Sequence, residues 1–153
     1  MVSFSNKYLV TLDGKGRLVL PAPFKKELGE TADLSFVIEK DRHDKCLNIY
    51  PNSTWLLKVD KLRQKLNMDN PQHSKLLSRY YEEIVKIGMA ENGRLNIPDE
   101  MLEFAGIVKE ALFTGQGSRM RLWEPSRHQA SRMDDENFLK LWDELMGGSN
   151  DNF

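Results

Sequence analysis

The chain has 153 residues, 40% of them hydrophobic and 29% charged, with 22 Lys and Arg against 23 Asp and Glu for a net charge of −1. A chain of this length can bury one core. A single cysteine excludes a disulfide scaffold, and no apolar run approaches the ~20 residues that span a bilayer. No basic-plus-apolar signal segment opens the chain, which therefore reads as cytosolic. The average charge hides an asymmetry: residues 133–153 carry one Lys against six acids, whereas residues 1–29 carry five Lys or Arg against two. Such a basic region can attract phosphate even in a slightly acidic protein.

In chain order, residues 7–12 (KYLVTL) read as a strand, Asp13-Gly14-Lys15-Gly16 as a turn, and residues 17–20 as a returning strand, together a hairpin with a basic tip. Ala22-Pro23 opens a short helix with Phe24 and Leu28 on one face and Gly29 at its end. Residues 34–39 and 46–50 form two strands joined by a polar loop, with Cys46 a buried, reduced thiol. Asn52 or Ser53 is expected to cap a helix carrying Trp55, Val59, Leu62 and Leu66. Asn70-Pro71 starts another, with Leu76, Leu77, Tyr80, Tyr81 and Ile84 on its apolar side, completing a helical hairpin. A last helix over 135–146 places Phe138, Leu141, Trp142 and Leu145 on one stripe, expected to pack on its own chain or against a neighbouring subunit. The polar tail 147–153 is expected to fray.

The chain also contains an internal repeat. Residues 11–29 (TLDGKGRLVLPAPFKKELG) return at 88–106 (GMAENGRLNIPDEMLEFAG), with Gly16/Gly93, Arg17/Arg94, Leu18/Leu95, Pro21/Pro98 and Gly29/Gly106 identical. A second echo pairs the segment ending in Pro51 with the one ending in Pro125. The repeat predicts an α+β chain of two small β-rich modules, 5–52 and 83–127, linked by helices over 53–82 and followed by an acidic helix and tail over 128–153. Each half alone is near the lower limit for independent folding, so the two should fold together.

Catalytic chemistry has little footing. His43, His73 and His128 fall in unrelated segments, and His43-x-x-Cys46 is an isolated pair, so neither a metal site nor a cofactor is expected. The tip 14–17 lacks the length of a phosphate-cradling loop and precedes a strand rather than a helix. What the tip permits is contact with DNA: Arg17 offers a planar charged fork, Lys15 a second charge, and Gly14 and Gly16 an unobstructed backbone. A solvent-exposed hairpin with a local Asp13–Arg17 ion pair is the plainer alternative.

The ordered set of residues 8–20 followed by Pro21, Cys46-Leu47-x-Ile49-Tyr50-Pro51-x-x-x-Trp55, Gly93-Arg94-Leu95-x-Ile97-Pro98, Ala105-Gly106, Gly115-Gln116-Gly117 and Leu122-Trp123 resembles the MraZ family. That resemblance implies a SpoVT/AbrB-like, swapped-hairpin fold and a transcriptional regulator of a division and cell-wall gene cluster. It further implies a nucleoid-associated homo-oligomer, commonly an octameric ring, bound to short direct repeats of double-stranded promoter DNA, with no small-molecule substrate. The family's Asp-x-x-x-Arg pattern is intact as Asp13 to Arg17 but departs in the second copy, which begins with Ala90. Glu91 lies one position on, where strand alternation points it elsewhere. The DNA contacts expected first are therefore Lys15 and Arg17, with Gly14, Gly16 and Asp13 in support. Arg94, Asn92, Gly93 and Lys7 come second. Two other functions are a protein-interaction module with weakened DNA binding and an enzyme acting on a phosphorylated small molecule, the latter without a general base in register.

Overall fold

The computed structural model describes residues 1–30 and 34–147. The first repeat supplies β1 (Lys7–Thr11), β2 (Arg17–Val19), α1 (Ala22–Leu28), β3 (Ser35–Lys40) and β4 (Leu47–Pro51). Helices α2 (Asn52–Gln64) and α3 (Pro71–Glu82) link it to β5 (Val85–Gly88), β6 (Arg94–Asn96), α4 (Asp99–Ala105), β7 (Glu110–Gln116) and β8 (Arg119–Trp123). Two helices follow, α5 (Pro125–Ser131) and α6 (Asp135–Met146). The fold is α+β. The sequence did not predict α5, whose cap is the Glu124 carboxylate, accepting from the N–H groups of Ser126 and Arg127.

The two repeats interleave rather than sit side by side. A six-stranded sheet runs β1-β7-β8-β4-β3-β5, and β2 pairs with β6 in a separate ribbon, every pairing antiparallel. The expected hairpin of residues 7–12 with 17–20 is therefore corrected: the chain does reverse at 13–16, but β1 then pairs with β7 and β2 with β6, both from the other repeat. The physical reason is geometric, since after so tight a reversal the strands diverge into different sheets. Local turn chemistry reports the reversal and says nothing about the pairing partner.

One core serves both repeats. The Phe24 ring of α1 meets Phe4, Tyr8 and Phe113 edge-on at 5.3, 5.2 and 5.9 Å, so a helix of the first repeat is seated on a strand of the second. Alternation along β3 and β4 sends Phe36, Ile38, Leu47 and Ile49 into this core and Val37, Glu39, Asn48 and Tyr50 to the opposite face. There Val37 and Tyr50 pack with Trp55 and Val59 of α2, with Tyr80 and Ile84 alongside. The Cys46 thiol is fully buried, and that burial pushes its pKa up to about 12. Neither Asn52 nor Ser53 caps α2, whose N-cap is Pro51. The chain enters that helix directly from a paired strand end, so the proline's fixed φ sets the entry. α3 begins at Asn70-Pro71 as expected, and Asn70 caps it, accepting from Gln72 N–H.

The stripe of α6 does not pack on its own chain: no residue of that helix is buried, and Phe138, Leu141, Trp142 and Leu145 are 42–72% exposed. Of the expected frayed tail, 148–153 lie outside the described residues.

On the outer face a buried carboxylate ties the linker helices to the sheet. Glu39 Oε1 accepts from Lys58 Nζ at 2.7 Å, Tyr50 OH at 3.1 Å and Asn48 Nδ2 at 3.2 Å, while Oε2 accepts from Tyr80 OH at 2.7 Å. Burial alone would raise the Glu39 pKa, but the Lys58 and Tyr80 hydrogen bonds and the Lys58 charge outweigh it and hold the group below its ordinary 4.5. A carboxylate with a depressed folded pKa contributes stability that is complete above the unfolded value and is lost as pH falls through the folded one. Glu39→Gln should therefore be less stable than the parent at pH 7, with the difference narrowing below pH 4.5, in urea titrations across pH. Tyr80→Phe, which removes the partner of Glu39 and of Trp55 Nε1, should cost about 2 kcal/mol in the same measurement.

Candidate nucleic-acid interface

The ribbon of β2 and β6 brings both Gly-Arg turns into one unit. Leu18 pairs with Leu95 at its centre and both are buried, so alternation turns the flanking Arg17, Val19, Arg94 and Asn96 the other way. Each turn closes on itself: Asp13 N–H donates to Arg17 O at 2.8 Å, and Ala90 N–H to Arg94 O at 2.9 Å. Each also binds the opposite strand, Ile97 N–H donating to Gly16 O at 3.2 Å and Leu20 N–H to Gly93 O at 2.9 Å. Gly16 and Gly93 have φ of 75° and 79°, the left-handed conformation such a reversal requires. Gly14 does not, and Glu91 stands at its equivalent in the second turn.

The turns differ in chemistry. In the first, Asp13 Oδ1 accepts from the N–H groups of Lys15 at 2.8 Å and Arg17 at 3.0 Å, and Oδ2 accepts from Arg17 Nε at 2.7 Å. The two backbone N–H bonds, with the guanidinium adding to them, hold Asp13 at a pKa of about 2. Among the described residues the Arg17 guanidinium is bonded through Nε alone, its terminal nitrogens making no other hydrogen bond. Lys15 is exposed and its ammonium has no ion pair among the described residues. In the second turn Ala90 can do none of this. Asn92 replaces part of it, its Oδ1 accepting from Arg94 N–H at 3.2 Å. The Arg94 side chain is exposed with no hydrogen bond or ion pair among the described residues.

The strand exchange gives each turn a neighbour from the other repeat. A Cβ on Gly93 would lie 3.6 Å from Lys25 Nζ, at the basic end of α1, whereas one on Gly16 would lie 3.8 Å from Asp99 Oδ1, at the acidic start of α4. The second turn, which has Ala90 where the first has Asp13, thereby acquires a lysine. Lys25 was not among the expected contacts. Its only sequence signal is the basic last turn of α1, which points nowhere until the partner strand is known. Lys7 is not brought to either turn: it opens β1, the length of a strand from Asp13, and lies near His128. That imidazole is held below its ordinary value by burial and by the Lys7 charge.

The histidines remain apart. His73 Nδ1 accepts from Asn67 N–H at 2.9 Å in the bend between α2 and α3, and His128 packs edge-on against Trp123 at 5.5 Å. Among the described residues no group of three or more His, Cys, Asp or Glu side chains is arranged to hold a metal, and no helix is long and apolar enough to cross a membrane.

Known proteins share this sequence over most of its length. A family model described as "MraZ protein, putative antitoxin-like" matches residues 3–78. A protein of Bacteroides fragilis named Transcriptional regulator MraZ is 30% identical over 146 residues, covering 95% of this chain and 92% of the relative. One of the same name from Bacteroides thetaiotaomicron is 29% identical over 150 residues, covering 98% and 96%. Another from Desulfitobacterium hafniense is 33% identical over 120 residues, covering 78% and 80%.

The two glycines of the first turn should respond differently to alanine. Gly16→Ala, forced into a left-handed backbone with Ile97 O at 3.4 Å, should lower unfolding free energy by about 1–2 kcal/mol in urea. Gly14→Ala, with nothing within 4 Å of the new Cβ, should leave the urea midpoint near that of the parent.

Proposed function

Because this chain belongs to the MraZ family of transcriptional regulators, we propose that it is a sequence-specific DNA-binding protein that acts as a homo-oligomer on direct repeats in the promoter of its own gene cluster. It represses by limiting polymerase access, in the cytoplasm and at the nucleoid, and its action includes no chemical step. The observation that carries this reading is the β2–β6 ribbon, which fixes two arginine-bearing turns back to back in one unit.

Gly16 and Gly93 lie four residues apart along the ribbon, Leu20 being bonded to Gly93, which at the strand rise is roughly 13 Å. B-DNA's major groove is about 12 Å wide, so the ribbon is of a size to address a groove and its bordering phosphates. With Asp13 engaging Nε, the terminal nitrogens of Arg17 are free for guanine O6 and N7 or for a phosphate. Lys15, Arg94 and Lys25 supply charge to the backbone. Four cations per subunit bind weakly alone, and an oligomer presenting several ribbons to repeated sites multiplies that affinity.

Alternatively the chain is chiefly a protein-interaction module with weakened DNA contact. The loss of the acid at Ala90 and the exposed stripe of α6 favour that.

A gel shift with DNA from upstream of the protein's own operon separates the two. The parent should bind with an affinity that falls steeply with salt, by a slope of about −3 to −4 per engaged subunit. Arg17→Ala should cost about 1–3 kcal/mol per occupied site and relax sequence preference while the oligomer survives. Lys25→Ala should weaken binding uniformly across sequences and reduce the slope by about 1 per subunit. Binding by Arg17→Ala equal to that of the parent would overturn the turn-mediated mechanism.

A further inference from the structure

Two surfaces of this molecule have matching chemistry and do not meet within one chain. The first is α6. Phe138, Leu141, Trp142 and Leu145 stand at i, i+3, i+4 and i+7, the spacing of a helix that docks in a groove, and all are exposed. The Phe138 and Trp142 rings stack at 5.8 Å, so part of this stripe is already organised. The flanks carry Asp135, Glu136, Asp143 and Glu144 against the single Lys140. The helix is firmly started, Asp134 Oδ1 accepting from Asn137 N–H at 2.7 Å.

The second surface is a cleft of about 1560 Å³ bounded by α2, α3 and the outer face of the sheet. Leu57, Leu62, Leu76 and Ile84 provide apolar lining, while around them cations outnumber acids eight to two, so the walls are strongly positive. Lys40, Lys58, Arg79 and Arg119 are engaged with acids of the same chain. Arg42, Lys61, Lys65 and Lys75 have no ion pair among the described residues, leaving four cations to face the four acids of α6. The cleft exceeds the ~300–1,000 Å³ typical of small-molecule sites, and its apolar lining suits a helix face better than a phosphate backbone. No α6 residue lines it.

We propose that this cleft receives α6 of a second copy of the chain, a contact that deepens the homo-oligomeric reading above and rests on it. In its own chain the helix follows a short link in which Arg132 and Asp134 both have extended backbone, and it contributes no residue to the cleft. Helix-to-cleft docking is heterologous, each copy giving one surface and using the other on the next. Such contacts close into a ring when the rotation permits. The apolar stripe supplies burial, and the facing charges set orientation and exclude like-charged partners.

Sedimentation of the full-length protein tests this with two variants. Leu141→Glu with Trp142→Glu disables the helix, and Lys61→Glu with Lys65→Glu disables the cleft. All four side chains lie outside both buried clusters, so the thermal melt of each variant, followed by circular dichroism, should match the parent. Each variant alone should sediment as a single subunit. An equimolar mixture should give a two-subunit complex and nothing larger, since only one helix and one cleft remain functional. Retention of the parental size by either variant, or a mixture that stays as single subunits, overturns the docking while leaving another mode of assembly standing. A cleft variant of parental size that has lost promoter binding overturns it in favour of a DNA surface. A parent that is a single subunit at every concentration overturns both the docking and the homo-oligomeric reading.

Discussion

Exchange of strands between the repeats is the constraint on which everything else rests. β1 has β7 as its neighbour, β5 has β3, and β2 and β6 have each other, so neither repeat can satisfy its strands alone. A bare strand edge leaves a row of backbone donors and acceptors unpaired, and a ~45-residue module cannot bury enough apolar surface to offset that. Exchange gives each of these strands a partner and pools the apolar surface of both modules in one core. It also fixes register, because a one-residue slip in the ribbon would turn Leu18 and Leu95 out of the core.

That register places the chemistry. Arg17 and Arg94 emerge at the two ends of a three-pair ribbon whose centre is immobilised by buried leucines. The left-handed glycines bring each arginine close behind its reversal. Exchange also redistributes charge, setting Lys25 beside the turn that has Ala90 and Asp99 beside the turn that has Asp13. The repeats are therefore unequal in a way their separate compositions understate.

The outer face of the sheet follows a different principle. There a carboxylate of 4% exposure is held by a lysine, two tyrosines and an asparagine, so its burial is compensated rather than left open. This network joins helices of the linker to strands of the first repeat. It sets the floor of a cleft whose Lys61, Lys65 and Lys75 have no ion pair among the described residues. The positive linker and the negative tail explain how a chain of net charge −1 carries strongly charged surfaces of both signs.

Much of this was legible in the amino-acid order, because it depends on local chemistry. The Gly-Arg turns, the start of α3 at Asn70-Pro71 and the apolar stripe of α6 follow from turn residues, proline and periodicity, each acting within a few positions, and the two-module plan follows from the internal repeat. Three features were not legible. The partner of β2, the proximity of Lys25 to Gly93, and the exposure of the α6 stripe depend on which segments meet across long sequence separations. The same alternating strand pairs equally well, by its own pattern, with the strand beside it or with its counterpart in the other repeat. By itself the sequence determined most of the elements, their faces and the cationic residues of the two turns. Tertiary structure decided how those residues are grouped, because only burial of one core by both repeats selects a single pairing from the several that local geometry allows.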